Sequence, residues 1–428
     1  MKKFWYLFYN LLIIPIAKVI VFFIQLFNQK MRIGLKDRKK LFENLIIDLT
    51  GIDRRKKMIW FHSASMGEFE QAKPIIEKIK SEKNYNIIVT FFSPSGYRNS
   101  LKYPFADVIS YIPIDTPILT ERFLNLVRPH LVIFMRYDFW PNMVWQLDKK
   151  KIPFMIVDAT LRSKSKRRLP IIFDFHKSLF ENILGVLTVT EEDAYNFGAF
   201  GVDKKKIKVI GDTRFDRVYQ KSLDAKEKKI INTDVLLNKK VFVMGSSWES
   251  DEEVILPAIT KVMEYDEQVL LIIVPHEPTI LHLENLEHTL LNRFNSIRFS
   301  YMNSYNNERV IIVDSIGILL KLYSYAHAAY VGGSIKQGIH NVLEPAVYGI
   351  PVVYGPKIEN SREAKILAEI KGSFVVRNQS EAYRILRKIF SDEKMRIESG
   401  KICENFVNNN IGATDKIFEE ITQVFNNK

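Results

Sequence analysis

From residue 58 onward the chain alternates short, unbroken apolar runs with stretches of helical periodicity, and this alternation constrains the fold more than any other feature. The runs are Met58–Ala64, Asn86–Phe92, Val108–Ile114, Leu131–Met135, Pro153–Ala159, Gly185–Thr190 and Ile207–Gly211. A second series follows Lys239: Lys240–Ser246, Val269–Pro275, Val310–Asp314, Ala328–Gly333, Pro351–Gly355 and Ser373–Val376. Continuous hydrophobicity, rather than every second residue, suits strands buried on both faces, which means parallel strands covered by helices. At 428 residues the chain exceeds one ordinary core. Between the two series, Tyr219–Lys239 is polar and lysine-rich with no buried-strand pattern. It reads as a linker (219–239) between an N-terminal domain over 58–218 and a C-terminal domain over 240–428. The expected fold class is α/β, with two Rossmann-like domains facing a cleft, since ligands of open α/β sheets bind at the C-terminal strand ends.

Ahead of this body lies Phe4–Phe27, FWYLFYNLLIIPIAKVIVFFIQLF. It is long enough to cross a bilayer core, which needs about 20 apolar residues. Pro15 would kink a helix there, and Lys18 is expensive at mid-depth. Phe4, Trp5, Tyr6, Phe8 and Tyr9 crowd one end, as an interfacial belt does. Met1-Lys2-Lys3 would suit a secretory signal, yet no small-x-small cleavage site follows. Residues 1–30 are therefore expected to be a membrane anchor, either a single span or a buried interfacial helix, and 31–57 a basic connector.

The net charge of +13 is concentrated in the same region: residues 1–57 hold 13 Lys/Arg against four Asp/Glu. A basic excess beside an apolar segment suits an anionic membrane surface. A nucleic-acid partner would call for charge on the folded domains with aromatics interleaved, so none is expected. The cluster Lys30–Lys40 follows the apolar segment, which leaves the body on the cytoplasmic side. A single cysteine, Cys403, excludes an internal disulfide and fits a reducing compartment. No zinc-ligand spacing, EF-hand loop or paired-acid metal motif occurs, so the expected chemistry uses neither metal nor cofactor.

Four segments carry candidate chemistry. The first run leads through His62 into Ser63-Ala64-Ser65-Met66-Gly67-Glu68 and then a helix. Glu68 can take a proton from a hydroxyl, or it can simply favour a helix N-terminus. Arg128–Asn142 ends a buried strand in a polar and aromatic cluster, where Arg136 and Asp138 either face a ligand or pair to order the loop. Leu161–Arg168 holds Arg162, Lys164, Lys166, Arg167 and Arg168, which suit lipid phosphates or make a solvated loop. Tyr330–Ala346 runs from a strand through Gly332-Gly333 into a polar loop and a helix. Such glycines admit a phosphate close to backbone, and Glu344 can accept bonds from ribose hydroxyls.

Taken together these segments resemble the Kdo transferases, which move an acidic octulosonic sugar from its CMP conjugate, CMP-Kdo, to a lipid A precursor, lipid IVA. His62–Glu68 is similar to that family's H-x-x-S-x-G-E block, and Arg128–Asn142 to R-P-x-L-V-I … W-P-N. Gly211–Asp216 resembles G-N-x-K-F-D, Gly245–Glu253 resembles S-T-x-x-x-E-E, and His340–Pro345 matches H-N-x-L-E-P. The resemblance implies a GT-B fold at a bacterial inner membrane. It makes Glu68 the general base, with Asp138 where the family usually carries Glu. It places Ser246, Pro275, His276, Gly317, Gly333, Asn341 and Glu344 at the CMP-sugar site; Arg162, Arg167 and Arg168 of the basic run are expected toward the acceptor, by their fit to lipid phosphates.

Some positions depart from the pattern. Val274–Pro278 resembles V-P-R-H-P, with His276 for Arg. Asp314–Leu319 resembles D-T-M-G-E-L, with Ile318 for Glu. The loop before His340 is one residue shorter, and Ile339 replaces a glycine. A neutral donor would need no cation at 276, so a UDP-hexose transferase is the alternative. A non-catalytic membrane-docked protein is a third reading, opposed by the retained Glu68, Asn341 and Glu344.

Overall fold

The computed structural model describes residues 2–426 other than 164, 166–168 and 292. The chain divides into two compact units, one of residues 1–217 and 411–428, the other of residues 218–410.

The first unit is built on β1 (Met58–Ser63), β2 (Asn86–Phe91), β3 (Val108–Tyr111), β4 (Leu131–Met135), β5 (Phe154–Ala159), β6 (Gly185–Thr188) and β7 (Ile207–Val209). Their order is β3-β2-β1-β4-β5-β6-β7, with every pairing parallel. All seven coincide with the expected apolar runs. The order reverses direction between β1 and β4, whose register sets His62 beside Phe134. That reversal is the switch point where open α/β sheets leave a crevice. Helix Met66–Glu82 buries Phe69, Ala72, Ile75, Ile76 and Ile79 on one side, against Ile59, Phe61, Ile87 and Val89 of the sheet.

The second unit contains β8 (Lys240–Ser247), β9 (Val269–Pro275), β10 (Ser296–Arg298), β11 (Val310–Ile312), β12 (Ala328–Val331), β13 (Val352–Tyr354) and β14 (Ser373–Val375). These are also parallel, in the order β10-β11-β9-β8-β12-β13-β14. Six of them match expected runs. The edge strand β10 was not expected, because three half-buried residues with a single neighbour carry no continuous apolar signal.

The domain boundaries also differ from expectation. Helix Thr213–Glu227 continues straight into the supposed linker, and a short helix, Thr233–Leu236, follows. The last helix, Ala413–Asn426, leaves the second unit and packs on the first, where Ile417, Phe418 and Ile421 join the core beneath Met66–Glu82. Asp216 fixes its start, accepting from the Gly412 N–H at 2.6 Å and the Thr414 N–H at 3.1 Å.

At the N-terminus Lys2–Phe8, a π-helical turn Tyr9–Ile13, and Ile14–Phe27 run end to end as one helix. Pro15 accounts for the widened turn, since its ring clashes with the carbonyl one turn back and it has no N–H to donate. The helix is long and apolar enough to cross a membrane. Helices Gln29–Arg38 and Leu41–Thr50 lead from it to β1.

Candidate active site

At the switch point of the first sheet, His62 ends up fully buried near the tip of β1. Its Nε2 lies 2.9 Å from Asp138 Oδ2, and its Nδ1 lies 2.9 Å from Thr90 Oγ1. The Trp60 indole N–H donates to the same Thr90 oxygen at 2.7 Å. Thr90, accepting from Trp60, can give its own proton to His62 Nδ1, an arrangement that sets an imidazole N–H on Nε2 toward Asp138. The same Asp138 Oδ2 also accepts from Trp140 Nε1 at 3.2 Å, so one carboxylate oxygen is held by two rings while the side chain stays partly open to solvent. Arg136, at φ +57°, turns its Nε to Gln71 Oε1 at 2.8 Å.

Glu68 occupies the third position of helix Met66–Glu82 and closes a capping box with Ser65. Its Oε2 accepts from the Ser65 backbone N–H at 2.9 Å. Oε1 has no hydrogen-bond partner among the described residues. The capping role and an available carboxylate oxygen thus coexist in one side chain.

Behind these groups sits a buried charged network. Asp212 accepts from Arg214 through both oxygens and from Gln71 at 3.2 Å. Burial alone would raise Asp212, but Arg214 holds it below the usual carboxylate range. Asp158, at φ +51° on a bulged stretch of β5, accepts from the Thr213 N–H and hydroxyl. Burial, and Asp212 next to it, push Asp158 up to about 7. The Gly211–Asp216 segment therefore works as a structural knot. Arg162 is exposed; Arg167 and Arg168 lie outside the described residues.

In the second unit, Ser246, Pro275, His276, Gly317 and Glu344 line one cavity of about 560 Å³, together with Lys221, Lys228, Ser315 and Lys321. The two remaining expected donor-site residues stand off it. Asn341 Nδ2 donates to Glu344 Oε1 at 3.2 Å and so orients that carboxylate. Gly333, at φ +79°, gives its N–H to Asp251 Oδ2 at 2.7 Å. Asp251 is fully buried and gathers the glycine loop, accepting also from Tyr330 at 2.8 Å and the Trp248 N–H at 3.0 Å. Gly332 has no room for a side chain, since a Cβ there would lie 2.0 Å from the Ser246 carbonyl oxygen. That approach locks the ends of β8 and β12 together at the second switch point.

His276 is exposed, yet its ring lies against two others, 4.6 Å from Trp248 and 4.5 Å from His340 between centroids. The Trp248 indole donates to His340 Nε2 at 3.1 Å. Burial, and then His276 beside it, lower the His340 pKa below its ordinary value.

The model of 3-deoxy-D-manno-octulosonic-acid transferases (kdotransferases) matches residues 34–217. The 3-deoxy-D-manno-octulosonic acid transferase of Aquifex aeolicus is 30% identical over 348 residues, which is 79% of this chain and 88% of that protein. The chain belongs to the Kdo transferase family. The namesake transferase of Haemophilus influenzae is 28% identical over 97% of both chains. A bifunctional glycosyltransferase/methyltransferase of Fusobacterium nucleatum is 27% identical over 86% of this chain, which spans only 58% of that longer protein. Among solved structures, the UDP-GlcNAc 2-epimerase of Neisseria meningitidis superposes with a TM-score of 0.60 at 15% identity, over 86% of this chain and 100% of its own. That likeness establishes a GT-B-like fold.

In this Kdo transferase family enzyme, several side chains gathered around the candidate site were not singled out from the sequence. His62 and Thr90 are apolar-run members, and the chain of contacts from Thr90 through His62 to Asp138 arises only when β1, β2 and β4 align. Asp251 had a local signal, an acid at the third position of a helix, which is where a capping carboxylate sits. Lys228 and Lys321 gave none, since solvent-facing lysines are common throughout the chain.

Proposed function

We propose that this enzyme transfers Kdo from CMP-Kdo to a hydroxyl of a lipid A precursor, lipid IVA, without a metal ion. The observation that carries this reading is the cavity of the second unit. Ser246, Gly317 and Glu344 line it beside His276, Lys221, Lys228 and Lys321. A CMP-activated sugar acid brings two negative groups, the phosphodiester and the sugar carboxylate, and lysine ammonium groups suit both. These lysines supply the cation that His276 lacks in place of Arg, so the departure at 276 does not require a neutral donor sugar. Glu344, steadied by Asn341, suits ribose hydroxyls.

The reaction needs an acceptor hydroxyl oxygen to bond to the anomeric carbon while the bond from that carbon to the CMP phosphate oxygen breaks. CMP leaves with the electron pair of that bond. The hydroxyl proton goes to the first unit's Glu68, whose Oε1 is uncommitted, and a positioned base typically contributes about 10² to 10⁴-fold. Asp138, held by His62 and Trp140, is a second carboxylate at the same sheet end and orients the acceptor.

The test is mass spectrometry of lipid IVA after incubation with the purified protein and CMP-Kdo generated in situ, with and without EDTA in the transfer step. A product heavier by one or more Kdo units, formed equally with EDTA, is expected. Product from a UDP-hexose and none from CMP-Kdo would overturn the donor assignment.

A further inference from the structure

The apolar N-terminal helix is long enough for a membrane span, yet its first turns and the end of the helix that follows it are both tied to the first unit. At its start, Trp5 is buried against Phe175, with ring centroids 5.5 Å apart. Tyr6 and Tyr9 pack edge-on against Trp145 at 5.3 and 5.7 Å. Lys2 pairs with Asp148. The Tyr9 hydroxyl donates to Asp115 Oδ2 at 3.0 Å, and Asn10 and Asn142 exchange two amide hydrogen bonds of 2.9 Å. After the apolar stretch the chain returns through helix Gln29–Arg38. There Arg38 donates to the Ile112 carbonyl at 3.2 Å and the Phe92 carbonyl at 2.7 Å, and Asp37 takes Arg98 and Tyr111.

The departing Tyr9 and the returning Arg38 thus rest on Asp115 and Ile112, three residues apart in one loop. Three residues of extended chain reach at most about 10 Å. A bilayer's hydrocarbon core is about 30 Å thick. A single span would separate Lys2–Asn10 from the body by that whole thickness, and none of the contacts above would exist. The part left free of the body is also too short, because the 14 residues of Ile14–Phe27 make only about 21 Å of helix.

We infer that the enzyme is monotopic: Leu11–Phe27 enters one leaflet without crossing it, and the chain before and after it stays on the side of the catalytic body. The occupant of this surface is a lipid leaflet with anionic headgroups, for two reasons. Leu11, Ile16, Val19, Ile20, Phe23 and Phe27 are all exposed, on several faces of the helix, so an aqueous surface would leave a large apolar area wet and the apolar layer must surround the helix. The apolar stretch is flanked by the exposed Lys3 before it and by the exposed Lys30 and Lys36 after it. Those are placed for phosphate headgroups at one interface, and Lys18 reaches the same level by extending its stem. Where the helix ends, Arg32 donates to the open carbonyls of Gln25 and Leu26 at 3.1 and 2.7 Å, and the Asn28 side chain caps the next helix. The turn therefore leaves few backbone groups in need of water, as an acyl-chain boundary demands.

Cysteine accessibility tests this in membrane vesicles from cells expressing the full chain. The native Cys403 is buried, donates to the Gly372 carbonyl at 2.9 Å, and is pushed up to about 12 by burial, so it stays silent. Lys3→Cys, Gln29→Cys and Lys394→Cys are then each treated with a membrane-impermeant maleimide in inside-out and right-side-out vesicles. All three are expected to label in the same vesicle orientation, while Ile16→Cys labels only after detergent. Labelling of Lys3→Cys from the face opposite to Lys394→Cys would establish a span and overturn the inference. Free labelling of Ile16→Cys in intact vesicles would place the helix in water and overturn it as well. Neither result touches the choice of donor sugar, which the mass assay decides separately.

Discussion

His62 Nε2 stands 2.9 Å from Asp138 Oδ2, with the histidine fully buried and the aspartate partly open. The imidazole cannot reach a substrate, so it acts on chemistry only by setting where the Asp138 carboxylate points. Its other nitrogen is tied through Thr90 to Trp60, and so the aim of Asp138 is fixed from inside the sheet.

His62→Gln therefore separates orientation from folding. A glutamine side chain at this position can still donate an N–H toward Asp138, whereas the ring introduced by His62→Phe cannot. Leaving a buried or partly buried polar partner unsatisfied costs about 1–3 kcal/mol. The Phe variant is expected to melt several degrees lower and to lose roughly 10-fold or more in kcat, with the Gln variant recovering part of both. Equal kcat in all three proteins would show that the dyad is only structural.

For Glu68, the Gln variant keeps the cap, because its amide oxygen still accepts from the Ser65 N–H. A melting temperature near that of the parent is expected, with CMP-sugar binding intact and turnover down by about 10² to 10⁴-fold. Retention of more than roughly a tenth of turnover at saturating substrates would remove Glu68 as the base and move the test to Asp138.

The cavity lysines make a prediction about binding. Lys228 and Lys321 have no side-chain partner among the described residues, and both line the proposed donor cavity. A hydrogen bond to a charged group contributes about 1.5–3 kcal/mol, or roughly 10- to 100-fold in affinity. Each single variant, Lys228→Ala or Lys321→Ala, should raise the KM for CMP-Kdo by about that factor and the double variant by more, with a smaller change in kcat. His276→Arg should lower KM, since a guanidinium can stack on Trp248 as the imidazole does and adds a permanent charge. Unchanged KM in all of these variants would place the donor elsewhere.

Stability should depend on pH through Asp158. Its folded-state pKa is raised to about 7, first by burial and then by Asp212, so the folded protein holds this proton more tightly than the unfolded chain does. The stabilisation is fully present below the ordinary carboxylate pKa. It declines as pH rises from there and is gone above about 7. Asp158→Asn imitates the protonated form at every pH. Urea midpoints of the variant, relative to the parent, should be higher at pH 8 than at pH 4.5, and a constant difference would count against the assignment.

The sequence by itself determined the elements that depend on one local signal. Among the described residues, 13 of the 14 strands are visible as continuous apolar runs, because a strand covered on both faces has few polar positions to interrupt it. The Gly332-Gly333 turn and the cap at Glu68 were legible for a similar reason, since each is set by neighbours only a few residues away. Tertiary structure decided everything that depends on distant residues meeting. The His62–Asp138 pair spans 76 positions of sequence and forms only when β1 and β4 adjoin. Ala413–Asn426 looks like any amphipathic helix until Asp216 and the core beneath Met66–Glu82 claim it for the first unit. The N-terminal helix is the clearest case. Its hydrophobicity and length satisfy a span, but topology is a relation between the chain before it and the chain after it. Tyr9 on Asp115 and Arg38 on Ile112 fix that relation through contacts that no local pattern records.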